Sequence, residues 1–137
     1  MTQDELTDGV RIAQLLSSEI TGGKGRLRAL DVTDADPDVE PTTDGALAYT
    51  VRAADVEVES TRDDDAIAEV YVQPDRARVE FVVAPELAAD VAQVEDLRVR
   101  PKATRPPRTL VFVENGAQVK WILPVFEAVL DELRRHE

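Results

Sequence analysis

From Arg26 onward the apolar residues of this chain fall into a period of two, which is the side-chain period of a strand with two distinct faces. A first strand is expected near Arg26 to Val32. It leads into DADPDVEPTTDG, whose prolines and acids suit a solvated connection better than a packed element. A long strand follows, in which Leu47, Tyr49 and Val51 share one parity and Ala54, Val56 and Val58 the other. A β-bulge near Ala53 would turn both sets toward one core. Two further strands, about Ala66 to Gln73 and Ala77 to Val83, flank Pro74 and Asp75 and read as a hairpin with a proline-containing turn.

Helical spacing brackets these strands. Thr2 and Glu5 have the spacing of a capping box. Leu6, Val10, Ala13, Leu16 and Ile20 then form a stripe, widened by Ile12 and Leu15, and Gly22 and Gly23 supply a left-handed stop. Pro85 suits the first turn of a middle helix carrying Leu87, Val91 and Val94. Pro124 opens a last helix with Val125, Phe126, Val129, Leu130 and Leu133 inward and Arg134 and Arg135 at its end. Between these two, TLVFVENGAQVKWIL contains Asn115-Gly116, the preferred pair of a two-residue hairpin turn. That turn would set Phe112 opposite Val119 and Leu110 opposite Trp121. The fold class follows: one α+β domain over 1–137, a mainly antiparallel sheet of about six strands with N-terminal, middle and C-terminal helices packed on it. The element order is similar to that of the small acidic dimeric chaperones of type III secretion, and this resemblance implies partner binding.

The chemistry available is narrow. With no cysteine, disulfides, thiolate metal sites and cysteine nucleophiles are excluded. The lone histidine, His136, is penultimate, a poor place for a general base or an imidazole metal site. TGGKG at Thr21 to Gly25 lacks the Ser or Thr that a phosphate loop needs after Gly-Lys. Asp63, Asp64 and Asp65 are consecutive, so they do not converge on one ion as a spaced calcium loop does. No catalytic residue, metal or cofactor is expected, and the balance points away from an enzyme. The acidic start and the lack of an apolar run near 20 residues predict a cytosolic protein with no membrane contact.

Charge is the more telling property. The chain has 28 acids, 16 basic residues and a formal charge of −12, and of the basic residues only Lys24, Lys102 and Lys120 are lysines. This composition resembles that of proteins from halophilic archaea, which implies an acidic surface adapted to molar salt, where the Debye length is about 3 Å. Against that background the segment 98–108 carries Arg98, Arg100, Lys102, Arg105 and Arg108 and no acid. Pro101, Pro106 and Pro107 are expected to hold it extended, its arginines projecting without a ladder to satisfy. Arg26 and Arg28 would enlarge the patch if the first strand lay beside it. Three readings follow. The segment is an internal counter-charge for the acidic body, a contact for a protein partner or a second copy of the chain, or a phosphate-binding site for nucleic acid. A small soluble binding or adaptor protein is the leading expectation. A nucleic-acid-associated factor using the same residues is the alternative, weakened because no aromatic is interleaved with the basic residues for stacking.

Overall fold

The computed structural model describes residues 7–23, 25–53 and 66–135. Thr2, Glu5, Lys24, Ala54, Val56, Val58, Asp63 to Asp65 and His136 lie outside them. Helix α1, Gly9–Thr21, is capped by Asp8, whose carboxylate accepts from the Arg11 amide at 3.2 Å. Its buried stripe is Ile12, Ala13, Leu16 and Ile20. Gly22 ends it at φ −90°, without the left-handed turn expected there; positive φ comes later, at Gly25. Residues Gly25–Ala29 form a 3₁₀ turn in place of the start of the expected first strand, so strand β1 is only Leu30–Thr33.

The remaining elements are β2 (Ala46–Ala53), β3 (Ala66–Gln73), β4 (Arg76–Phe81), helix α2 (Pro85–Val94), β5 (Arg98–Lys102), β6 (Arg108–Val113), a short helix α3 (Gln118–Trp121) and α4 (Leu123–Arg135). The six strands form one antiparallel sheet in the order β1-β2-β3-β4-β6-β5. The expected class, strand number and single sheet are all present. In β2 the register slips between Val51 and Arg52, next to the expected bulge, and also between Leu47 and Tyr49. The second slip separates residues expected to share a face: Tyr49 is buried and opposite Val70, whereas Leu47 is opposite Tyr71 and 41% exposed.

Parity divides the sheet cleanly. Val70 and Val72 of β3, Ala77, Val79 and Phe81 of β4, and Val111 and Val113 of β6 are fully buried against the helices. Phe81 meets Phe126 of α4 with ring centroids 5.0 Å apart and tilted by 54°. In α2 the buried pair is Ala88 and Ala92; of the expected stripe Val91 is half-buried against the core, while Val94 is 79% exposed, so the helix packs mainly on its small residues. The other parity, which includes Glu69, Tyr71, Arg76, Arg78 and Arg108, forms a second face on which no described helix lies.

The hairpin expected at Asn115-Gly116 is replaced by a helix start. Asn115 Oδ1 accepts from the Gln118 amide at 3.0 Å and Gln118 Oε1 accepts from the Glu114 amide at 2.7 Å, a reciprocal pair that ends β6 and begins α3. Strand β6 already has β4 on one side and β5 on the other, so no edge is left for residues 117–122. Val119 and Ile122 instead continue the stripe of Val125, Phe126, Val129 and Leu130, all buried. Two strands do follow α2, but only β6 is one of the expected pair; the other is the basic segment itself, as β5.

Helix α1 starts hard against the β3–β4 turn. The Gly9 amide donates to Pro74 O at 3.3 Å, and a Cβ on Gly9 would lie 1.9 Å from Gln73 O and 2.7 Å from Arg76 O. Both obstacles are backbone, so nothing can swing aside. Gly9→Ala is expected to lower stability by about 2 kcal/mol, the scale of an overpacked core, read as a lower urea midpoint at unchanged slope.

Candidate functional site

Strand β5 is placed by the exit of α2. Asp96 adopts the left-handed conformation (φ 63°), its amide and that of Leu97 cap Gln93 O and Ala92 O, and Leu97 is buried. The chain then runs back along β6, with Arg98 opposite Phe112, Arg100 opposite Leu110, Pro101 opposite Thr109 and Lys102 opposite Arg108. Residues 98–102 thus have a ladder on one side, contrary to the expectation of a free extended connection. Pro101, without an amide proton, is tolerated because this is an edge strand. Thr109 fixes the arrangement from the helix side by donating its hydroxyl to Pro85 O.

The register sends Arg98, Arg100 and Lys102 to the helix-free face beside Arg108, where β4 adds Arg76 and Arg78. Guanidiniums cover the rings there: Arg76 lies 4.3 Å from the Phe112 centroid and Arg78 4.8 Å from that of Tyr71. At the centre is Glu80, fully buried. Its carboxylate accepts from Arg78 Nε at 3.0 Å, from Arg108 Nη1 at 2.9 Å and from Lys102 Nζ at 3.3 Å. Arg108 Nη1 also reaches Glu69 Oε1 at 2.7 Å, and the Tyr71 hydroxyl donates to the same oxygen at 2.9 Å. Burial opposes the charge on Arg108, but its hydrogen bonds to Glu80 and Glu69 outweigh that cost and hold the guanidinium above its ordinary range.

The basic residues of the segment therefore divide into three groups. Lys102 and Arg108 are committed to Glu80, together with Arg78, as an internal counter-charge. Arg98 stands 3.8 Å from Glu114, which Arg76 shares at 3.5 Å. Arg100 and Arg105 are exposed and have no carboxylate partner among the described residues. Arg28, exposed, and Arg26 sit in the 3₁₀ turn before β1, at the opposite edge of the sheet. Five strand spacings of about 4.8 Å separate the two edges, so these two do not enlarge the patch. Arg76, Arg78, Glu69, Tyr71 and Glu80 belong to the site without standing out in the sequence; their only signal is that they occupy the polar parity of two strands whose other parity is apolar.

Beside the cluster the β5–β6 loop encloses a cleft of about 320 Å³ lined by Val82, Lys102, Thr104, Arg105, Pro106 and Arg108. The loop is braced by the Thr104 hydroxyl, which donates to Pro106 O at 2.8 Å, and by the Thr104 amide, which donates to Lys102 O at 2.9 Å. A second cleft of about 440 Å³ shares Lys102 and Arg108 with the first and is otherwise walled by Pro85, Glu86, Ala89, Pro101, Ala103, Pro107 and Thr109. No group of three or more His, Cys, Asp or Glu side chains suited to a metal occurs among the described residues.

The chain belongs to DUF7993, a family of unknown function whose model matches residues 1–137. No curated protein and no solved structure matches it.

Two outcomes follow from the geometry. Glu80→Gln removes the charge that three cations surround, and breaking a buried pair on one side is expected to cost about 3 kcal/mol in a denaturation experiment, with the loss larger at low salt. The second concerns the two tyrosines. Burial raises the Tyr49 phenol, whose hydroxyl donates to Ala13 O at 2.8 Å, and burial followed by the bond to Glu69 raises Tyr71. Because both folded values exceed the unfolded value of about 10, the unfolded chain loses its protons first as pH rises. Stability is therefore full below about pH 10 and declines as pH rises toward the folded values. Absorbance at 295 nm should show little tyrosinate in the native protein at pH 10 and half-ionisation in denaturant.

Proposed function

We propose that the protein is a small non-catalytic binding or adaptor domain that recognises an acidic protein partner through the segment 98–108. The observation that carries this reading is the division of the cations. If the segment served only to offset the acidic body, its exposed arginines would lie on carboxylates. Lys102 and Arg108 do so, but Arg100 and Arg105 stand exposed without one among the described residues, on a hairpin held by the first pair. Unpaired guanidiniums on a rigid support lose little entropy when they meet an acidic surface, and their fork geometry suits carboxylates.

Nucleic acid is the less favoured ligand of the same residues. Tyr71 and Phe112, the aromatic rings of this face, lie under Arg78 and Arg76, which removes the stacking platforms that single strands use. A body of formal charge −12 also repels a polyanion.

The test compares wild type with an Arg98→Glu, Arg100→Glu, Arg105→Glu triple variant, none of which contributes to the Glu80 cluster. Fluorescence anisotropy is measured with a labelled acidic peptide, RNA and duplex DNA in 0.2 M and 2 M KCl, with light scattering for mass. We expect the peptide to bind wild type at 0.2 M and the triple variant at least about tenfold more weakly. RNA or DNA binding lost in the variant would transfer the function to nucleic acid. A fall in wild-type mass with the variant would instead identify the partner as a second copy of the chain.

A further inference from the structure

The partner's chemistry can be narrowed from the two adjoining clefts. The following rests on the reading of segment 98–108 as a contact for an acidic protein. We propose that the β5–β6 hairpin receives a short extended segment in which a carboxylate side chain is followed closely by an aliphatic one. The carboxylate enters the cleft among Lys102, Arg105 and Arg108. The aliphatic side chain rests in the neighbouring cleft against Pro85, Ala89, Pro101 and Pro107.

Three features support this assignment. First, the smaller cleft is lined by three cations and no acid, so an anion there meets positive charge at the cleft wall, with Glu69 and Glu80 behind Arg108 and Lys102. Second, both bonds of Arg108 to carboxylates leave through Nη1, so its Nε and Nη2 edge meets no carboxylate among the described residues. That edge presents two parallel N–H groups, the fork that matches a carboxylate in a bidentate pair. Arg105 adds a guanidinium with no carboxylate partner from across the loop. Third, the second cleft has three prolines and two alanines among its walls, with Glu86 and Thr109 also lining it, and meets the first at Lys102 and Arg108, so an apolar surface lies next to the cationic one. Prolines and alanines have little rotamer freedom to lose, which makes the cleft a preformed seat.

The same geometry disfavours a phosphate. The Arg108 guanidinium already touches Glu69 and Glu80 at 2.7 and 2.9 Å, so a second negative charge on the ligand would sit one guanidinium away from two carboxylates. A singly charged carboxylate meets less of that repulsion.

Short labelled peptides centred on Glu-Leu, on Glu-Ser, and on phosphoserine-Leu serve as probes, with inorganic phosphate as competitor. They are titrated by anisotropy against the full chain, wild type, Arg105→Gln, Arg28→Gln and Ala89→Asp, each checked for its denaturation midpoint. Expected is preference for Glu-Leu over Glu-Ser by about tenfold, since about 1.4 kcal/mol of apolar contact is at stake. Arg105→Gln should weaken both carboxylate peptides, Arg28→Gln, at the opposite edge of the sheet, should leave them nearly unchanged, and Ala89→Asp should abolish the preference for leucine. Equal binding of Glu-Leu and Glu-Ser, or equal effects of Arg28→Gln and Arg105→Gln, would overturn the two-cleft assignment while leaving a diffuse acidic contact intact. Tighter binding of the phosphoserine peptide, or displacement by phosphate, would overturn the carboxylate. Failure of every acidic peptide, in wild type as in variants, would refute the underlying reading as well.

Discussion

A carboxylate buried on the face opposite the helices is the constraint on which the outer layer of this sheet depends. Removing Glu80 from water is tolerable only because cations from three strands converge on it, Arg78 from β4, Lys102 from β5 and Arg108 from β6. Through Arg108 and Glu69 the cluster reaches β3 as well. Hydrogen bonds along the ladders position backbones, but they do not say where a long side chain lies. Glu80 does so for Arg78, whose guanidinium it holds over Tyr71, while Arg76 is held over Phe112 by Gln73 and Glu114, so that two rings are covered without a helix. The cost of desolvating one acid is thus offset by ordering a whole surface.

Much of this fold was legible because its core follows simple periods. The β3–β4 hairpin is readable from Ala66 to Phe81, since apolar and polar residues alternate from Ala68 onward and Pro74-Asp75 marks the turn. The single antiparallel sheet and its helices were equally accessible. Asn115-Gly116 misled for a physical reason: the local pair favours a tight turn, yet a hairpin needs a free edge, and both edges of β6 are already taken by β4 and β5. Asn115 also suits a helix start, and that use prevails. In α2 the larger residues Leu87, Val91 and Val94 drew attention, but close approach to β6 and α4 selects the alanines.

The site was legible as composition and not as geometry. Arg98 to Arg108 announced a charge contrast, and the segment does occupy one face of the sheet. Which of its members would be consumed internally depends on a residue of β4, and a lone Glu between Val79 and Phe81 carries no mark of burial. Arg26 and Arg28 show the converse, since proximity in composition said nothing of the strand order that places them at the far edge.

The loop between β1 and β2 has a consequence beyond its own contacts. Its end is fastened to the helix-free face, with Gln73 donating to Thr43 O and Arg78 to Asp44 O, and the Arg78 guanidinium lies so close to Gly45 that a Cβ there would be 2.8 Å from Nη2. Its acids Asp34, Asp36, Asp38 and Glu40, all exposed, lie between β1 and β2, while Arg100 and Arg105, without a carboxylate partner among the described residues, lie in β5 and in the loop that follows it. Strand order thus sets these acids and the arginines of segment 98–108 at opposite edges of the sheet. Five strand spacings of about 4.8 Å exceed the Debye length of about 10 Å at 0.1 M salt, so the two sets of charges are screened from one another, and each answers to its own neighbours.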